Sequence, residues 1–374
     1  MKELQEILAA AEEARARGEA TALATIVGVR GSTYRRAGAR LLTTATGRQV
    51  GNISGGCLEG DVAVVAEEVL ASGVPRLVTY DLTADDDMVW GLGLGCNGAI
   101  EVFVEPTAPG DVLWDAVRVA LTAQEPVVVV TVVEGTAAVP AGRRLVVWAD
   151  GRTGGGLGDP ALEGEATRWA EAARAELRTG VRQTQAGGAP VRLFVEVLHP
   201  PLRLVVCGAG HDAIPVVRFA SQLGWRVLVV DRREAFLTSE RFPGAAGFVK
   251  TEFPEAGRAV PTDPHTYVLI MTHNYMHDRD LLRAFLPTPV AYLGMLGPRA
   301  RTEKILADLA GEGVTLDDAQ RARIYGPVGL DIGSETPDEI AIAAIGEILA
   351  VARRRRAGFL RDRRAPIHES VPAG

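Results

Sequence analysis

Three places in this chain combine residue types and spacings that could do chemistry. The first is Ser54-Gly55-Gly56-Cys57-Leu58-Glu59-Gly60, where glycines expose the backbone around a thiol. An apolar series follows at helical period, Val62, Val65, Ala66 and Val69, so Cys57 sits at or just before a helix N-terminus. That position lowers a thiol pKa and makes Cys57 a candidate reactive thiolate, the alternative being a small residue that fills a gap. The second is Gly208-Ala209-Gly210-His211-Asp212-Ala213, a G-x-G-x-x-A turn between an apolar run and an amphipathic stretch. Such glycines let backbone N–H groups approach a phosphate at the positive end of a helix. Asp231 ends the next apolar run at the distance where an acid can meet a ribose diol, and Arg232 and Arg233 after it leave open whether that ribose carries a phosphate. Third, His273 and His277 flank Asn-Tyr-Met after another apolar run. With no third ligand nearby, the pattern reads as a ligand-facing loop at a sheet edge and not as a metal site. His211, inside the phosphate turn, is placed to donate to a phosphate or a substrate, or to cap the helix.

Positioning these residues requires a recognisable set of elements. From Arg203 the chain reads strand, glycine turn, helix, strand, acid. RLVVC runs into the turn, HDAIPVVRFASQLG is helical and WRVLVVD is the next strand. TYVLIMTH and VAYLGMLG are later strands, and Thr336-Pro337-Asp338-Glu339 opens a final helix with a cap, a proline and a capping-box partner. Two prolines at 200 and 201 mark a boundary ahead of this domain, which spans residues 201–353. Residues 354–374, after Arg353-Arg354-Arg355-Arg356, read as a solvated tail. The expected fold class is α/β: a C-terminal Rossmann-like parallel sheet plus an N-terminal α+β domain over residues 1–200. The first 20 residues read as an amphipathic helix on that domain's surface.

The N-terminal domain contains a degenerate duplication. Gly38, Arg40, Leu41, Gly47, Arg48, Leu58, Glu59 and Gly60 match Gly142, Arg144, Leu145, Gly151, Arg152, Leu162, Glu163 and Gly164 at one fixed offset. At a shorter offset GCNGAIEVFVE (95–105) matches AGGAPVRLFVE (186–196), which gives copies over about 21–106 and 126–198. In the second copy Cys57 becomes Ala161 and Cys96 becomes Gly187 while the framework persists. Joint loss of both thiols points to one shared site, with Cys57 and Cys96 approaching across a cleft and no pocket at Ala161 and Gly187. Cys207 ends a buried strand and packs.

Composition narrows the function classes. A formal net charge of -7 disfavours a nucleic-acid binder, which needs a basic face to displace counterions. No run approaches the uncharged length that crosses a bilayer, and the acids and bases of MKELQEILAAAEEARARGEA rule out a signal peptide. Three cysteines without a C-x-x-C pair suit free thiols in a reducing cytoplasm.

SGGCLEGD (54–61), GLGCNG (93–98), GAGH (208–211), VVDR (229–232) and GLDIGSETPDEIA (329–341) together resemble the XdhC/CoxI proteins over nearly the whole chain. The resemblance implies an accessory factor that binds molybdenum cofactor (molybdopterin) and delivers it to a xanthine or carbon monoxide dehydrogenase-type enzyme. In that role Cys57 and Cys96 handle the sulfur chemistry, while Gly208, Gly210, His211, Asp231 and His273 hold phosphate or nucleotide. Expected partners are a molybdenum hydroxylase apoenzyme, a cysteine desulfurase and a second copy of the chain, with no nucleic acid and no membrane. Two rival readings use the same turn: an NAD(P)-dependent oxidoreductase, for which His211 and His273 are the available proton-relay candidates, and a regulatory nucleotide sensor.

Overall fold

The computed structural model describes residues 1–81, 98–108, 110–122 and 125–364. The chain divides into two compact units, essentially Glu3–Pro200 and Pro201–Asp362.

The first unit is built twice from one plan. Copy one runs α1 (Lys2–Ala16), β1 (Thr21–Gly31), β2 (Arg40–Thr44), β3 (Gln49–Gly51), α2 (Glu59–Ser72), β4 (Arg76–Asp81) and β5 (Gly98–Pro106). Copy two runs α3 (Val112–Thr122), β6 (Val127–Glu134), β7 (Arg144–Val147), β8 (Thr153–Gly156), α4 (Pro160–Glu176), β9 (Gly180–Ala186) and β10 (Ala189–Leu198). The antiparallel sheets have matching orders, β3-β2-β1-β5-β4 and β8-β7-β6-β10-β9. Register matches as well: Thr25 pairs with Arg40 and Phe103, and Thr131 with Arg144 and Phe194. α2 covers one face of the first sheet through Val62, Val65, Ala66 and Val69, and α4 covers the second through Leu162, Ala166 and Ala170. The amphipathic N-terminal helix is more than a surface addition. Leu4, Ile7 and Leu8 of α1 share one core with Leu113, Trp114 and Val117 of α3 and with residues of both sheets. α1 is therefore the first element of copy one, as α3 is of copy two.

The second unit is a six-stranded parallel sheet. Its elements are β11 (Arg203–Cys207), α5 (Ala213–Gln222), β12 (Arg226–Asp231), β13 (Gly247–Lys250), α6 (Ala256–Ala259), β14 (Thr266–Ile270) and α7 (Tyr275–Phe285). They continue with β15 (Tyr292–Met295), α8 (Arg299–Gly311), α9 (Asp318–Ala322), β16 (Ile324–Tyr325) and α10 (Pro337–Ala352). The strand order β13-β12-β11-β14-β15-β16 is that of a doubly wound dinucleotide-binding sheet, with its order reversing between β11 and β14. β11 is buried on both faces and alternates between them: Leu204 and Val206 join the core with α5 and α10, Val205 and Cys207 the core with α7 and α8. α10 starts as its sequence specifies, with Thr336 and Glu339 forming a reciprocal capping box and Pro337 in the first turn.

Candidate functional site

The Cys57 loop is held by a single acid. Glu59 accepts backbone N–H bonds from Ile53 at 3.1 Å, Ser54 at 2.8 Å, Gly56 at 3.0 Å and Leu58 at 3.2 Å, and also the Ser54 hydroxyl. Burial pushes the Glu59 carboxyl up, but the bonds from Ser54 and the neighbouring backbone outweigh it and hold it down at about 2. Glu163 repeats the arrangement in copy two, accepting from Leu157 at 2.7 Å and Gly158 at 3.2 Å. The copies then diverge. In α4 the side chain of Asp159 caps Ala161 and Leu162, and Pro160 begins the helix. At the matching places copy one has Gly55 and Gly56, both at positive φ (89° and 114°), and α2 begins only at Glu59 with no side-chain cap. The first turn of copy two is thus opened in copy one into an exposed loop that presents Cys57.

Cys96 lies outside the described residues. Its neighbour Gly98 sits where a side-chain carbon would meet Ser32 O at 2.7 Å, and one on Gly55 would meet the Tyr34 ring at 3.2 Å. The segment after β1 therefore touches the strand that follows one thiol and the loop that carries the other. Ala161 is exposed on a capped helix and Gly187 lies in the turn between β9 and β10. Cys207 is fully buried, and burial, reinforced by Asp278 and Asp231, pushes its thiol far up; it packs as a small apolar residue.

In the second unit Gly208, Gly210, His211 and His273 gather at the C-terminal edge of the sheet, where the strand order reverses. Gly208 has φ 112°, and a side-chain carbon there would lie 2.7 Å from Met271 O, so only glycine lets this turn pass the end of β14. A carbon on Gly210 would lie 2.6 Å from Asp212 Oδ1. The other oxygen of Asp212 is 2.6 Å from His273 Nε2. His273 is itself at positive φ (58°) with a side chain 64% exposed. α5 begins here without a side-chain cap, so its leading N–H groups face the edge. His211 is exposed beside them. The loop bearing His273 is anchored by Asp278, fully buried, which accepts from the Thr272 N–H at 3.2 Å and from the Thr272 hydroxyl and pairs with Arg301. Asp212, Asp278 and Arg301 carried no sequence signal, because their partners come from other elements.

Asp231 is placed otherwise than a ribose ligand would be. It is 1% exposed, and its two oxygens accept four N–H groups: Ala209 N at 2.8 Å, Arg233 N at 2.8 Å, and Arg233 Nε and Nη2, each at 2.9 Å. A carboxylate offers about four lone-pair sites, so this one is saturated from within the protein. Burial pushes Asp231 up, but Arg233 and the Ala209 N–H more than offset it and hold the carboxyl below its ordinary value. Among the described residues no three His, Cys, Asp or Glu side chains are grouped to hold a metal ion, and no helix is long and apolar enough to cross a membrane.

Residues 204–348 match the XdhC Rossmann domain, and residues 14–81 and 120–185 match the XdhC and CoxI family. The chain is 32% identical over 340 residues to a protein of Bacillus subtilis (strain 168) named as a probable xanthine dehydrogenase component, covering 90% of this chain and 94% of that one. It is 23% identical over 346 residues to the molybdenum cofactor insertion chaperone PaoD of Escherichia coli (strain K12), covering 92% and 87%. A crystal structure described as a xanthine dehydrogenase from Bacillus halodurans superposes with a TM-score of 0.74 at 30% identity, covering 94% of this chain and 97% of that one. With both units matched and a relative at this identity aligned almost end to end, the chain belongs to the XdhC and CoxI family.

Proposed function

We propose that the protein is a maturation factor that holds molybdenum cofactor and passes it to a molybdenum hydroxylase apoenzyme. The observation that carries this reading is the selective opening of one copy of a duplicated framework. Copy two keeps Glu163 and closes its helix with Asp159 and Pro160, whereas copy one keeps Glu59 but replaces the cap with glycines and an exposed thiol. A framework kept for packing alone has no need of that difference. A soft thiolate suits a ligand whose reactive end is sulfur and molybdenum. The uncapped start of α5 beside Gly208 suits a phosphate, which molybdopterin carries. The near end-to-end similarity to a protein named as a molybdenum cofactor insertion chaperone supports the same class.

In this role the protein's residues bind and shield, while the cofactor supplies the redox chemistry when it reaches its enzyme. In the first unit Cys57 and Cys96 are the thiols that handle the cofactor's sulfur; in the second unit the Gly208 turn, Gly210 and His211 form a phosphate site, with His273 held beside them by Asp212. Asp231 acts through the turn, whose Ala209 N–H it fixes, and not by direct contact. A cysteine desulfurase as sulfur donor and a second copy of the chain complete the set of partners, in the cytoplasm. Mass spectrometry of gently purified protein tests the reading: a retained pterin is expected in the wild type and its loss in Cys57→Ser. A wild-type protein that retains nicotinamide nucleotide and no pterin would move the chain to the oxidoreductase class.

A further inference from the structure

The rim at the end of β12 is not explained by cofactor delivery. In a sheet of this order that rim faces the ribose of a nucleotide bound at the glycine turn, where an acid selects a free diol and arginine accepts a phosphate. Asp231 stands at the acid's position but is buried, with all four lone-pair sites filled by Ala209 and Arg233. A ribose diol would have to displace an ion pair to reach it. Cations meanwhile gather around the same spot. Arg232 is exposed, and Arg233, half exposed, lies 4.0 Å from the centre of the Phe236 ring. Arg241 lies over the same ring at 4.9 Å and donates to Ala209 O at 3.2 Å, which ties it to the glycine turn. Its Nε is buried with no hydrogen-bond partner. Of the nearby acids, Glu234 is taken by Lys250 at 2.6 Å and Glu240 is exposed beside Arg241. Two guanidinium groups held over one ring, one bound to the buried Asp231 carboxylate and the other to the Ala209 carbonyl, form a site for a doubly charged anion.

We propose that this rim, Arg232, Arg233 and Arg241, binds the 2′-phosphate of an adenine nucleotide, so that the Rossmann unit takes NADP(H) in preference to NAD(H). The inference rests on the glycine turn being the phosphate site of the proposed function and extends it to a second ligand class. Arg233 has two roles: it fills Asp231 and turns the rest of its guanidinium outward to the phosphate.

The test is fluorescence titration of the full-length protein with NADPH and with NADH, with melting curves confirming that each variant is folded. Wild type should bind NADPH at least about ten-fold more tightly, the effect of one or two charge-assisted hydrogen bonds. Arg232→Ala should lower NADPH affinity and leave NADH affinity unchanged, and Arg241→Ala, which also frees the Ala209 carbonyl of the glycine turn, should lower NADPH affinity by a larger factor than NADH affinity. Arg233→Ala, by releasing Asp231, should narrow or invert the preference. Equal affinities in the wild type, tighter binding of NADH, or no binding of either would overturn the proposal. In the last case pterin retention by the same preparation shows that the delivery role stands without it, and absence of both ligands removes the two readings together.

Discussion

Glu59 shows how one side chain can hold a reactive loop without joining its chemistry. Four backbone N–H groups and a hydroxyl converge on it, so Glu59→Gln, which puts an NH2 where an acceptor stood, should loosen residues 53–58, Cys57 among them. The expected result is a Cys57 alkylation rate altered severalfold with Cys207 still protected; an unchanged rate would mean that the loop is held by other contacts. Acid stability checks the same point. Because the folded Glu59 carboxyl lies at about 2, below its ordinary value, the stability it contributes is present above that ordinary value and lost as pH falls toward 2. The group is partly exposed, so the contribution is about 1 kcal/mol after screening, and the acid limb of wild type should drop by that much more than that of Glu59→Gln. Residues of this kind were only half legible. Glu59 stood out as a repeat identity, but its role did not, because its donors lie in a loop without periodicity. Asp231 was found by spacing and its occupancy missed, since the sequence shows Arg232 and Arg233 alike and only the fold reveals which one turns back.

At the scale of elements, periodicity carried most of the information. Parallel strands buried on both faces read as apolar runs, and the α10 cap is written in four consecutive residues. The crossing of two strand ends is not written in sequence. Gly208 is required less by a ligand than by Met271, whose carbonyl passes beside it where the sheet order reverses. Gly208→Ala should therefore lower stability by about 3 kcal/mol, from a side chain at unfavourable φ and a clash with backbone that cannot turn aside. Gly210→Ala meets only the end of the Asp212 side chain, so it should cost about 1 kcal/mol or less and act mainly by displacing Asp212 from His273. Chemical denaturation of both variants, with the NMR chemical shifts of the His273 ring for the second, separates the two roles. Equal destabilisation would show that Gly208 and Gly210 serve the same purpose. The pairing of α1 with α3 escaped the sequence because the two helices share an apolar pattern but few identities.

In the first unit the duplication is also a pattern of exchanged charges. Arg40 of copy one pairs through both terminal nitrogens with Glu196 of copy two, and Arg144 of copy two pairs with Glu105 of copy one, all four side chains buried. Between them Glu101 meets its own repeat counterpart, Arg192, at 2.9 Å. The pairs lock the two copies in one relative arrangement, since sliding either sheet would leave buried charges alone. All these residues lie in the matched segments, yet sequence comparison could not show that each arginine reaches the acid of the opposite copy. Arg40→Ala should destabilise the protein by about 3–5 kcal/mol, chiefly by stranding Glu196, and Arg40→Ala combined with Glu196→Gln should recover a large part of that loss in thermal unfolding. The two pairs should nevertheless respond differently to pH. Arg144 is shared with Asp111 at 2.6 Å. Burial, only partly countered by Arg144 and reinforced by the Asp111 charge, raises the Glu105 carboxyl to about 7. A raised folded value means that the folded protein binds a proton the unfolded chain has already lost. The stability this contributes is complete below the ordinary carboxylate value and is lost as pH rises through 7. Wild type should therefore weaken between about pH 5 and pH 7.5 by up to about 3 kcal/mol from this group, whereas Glu105→Gln should be flat across that window. A wild-type stability as flat through the window as the variant's would show Glu105 to be charged throughout and held by Arg144.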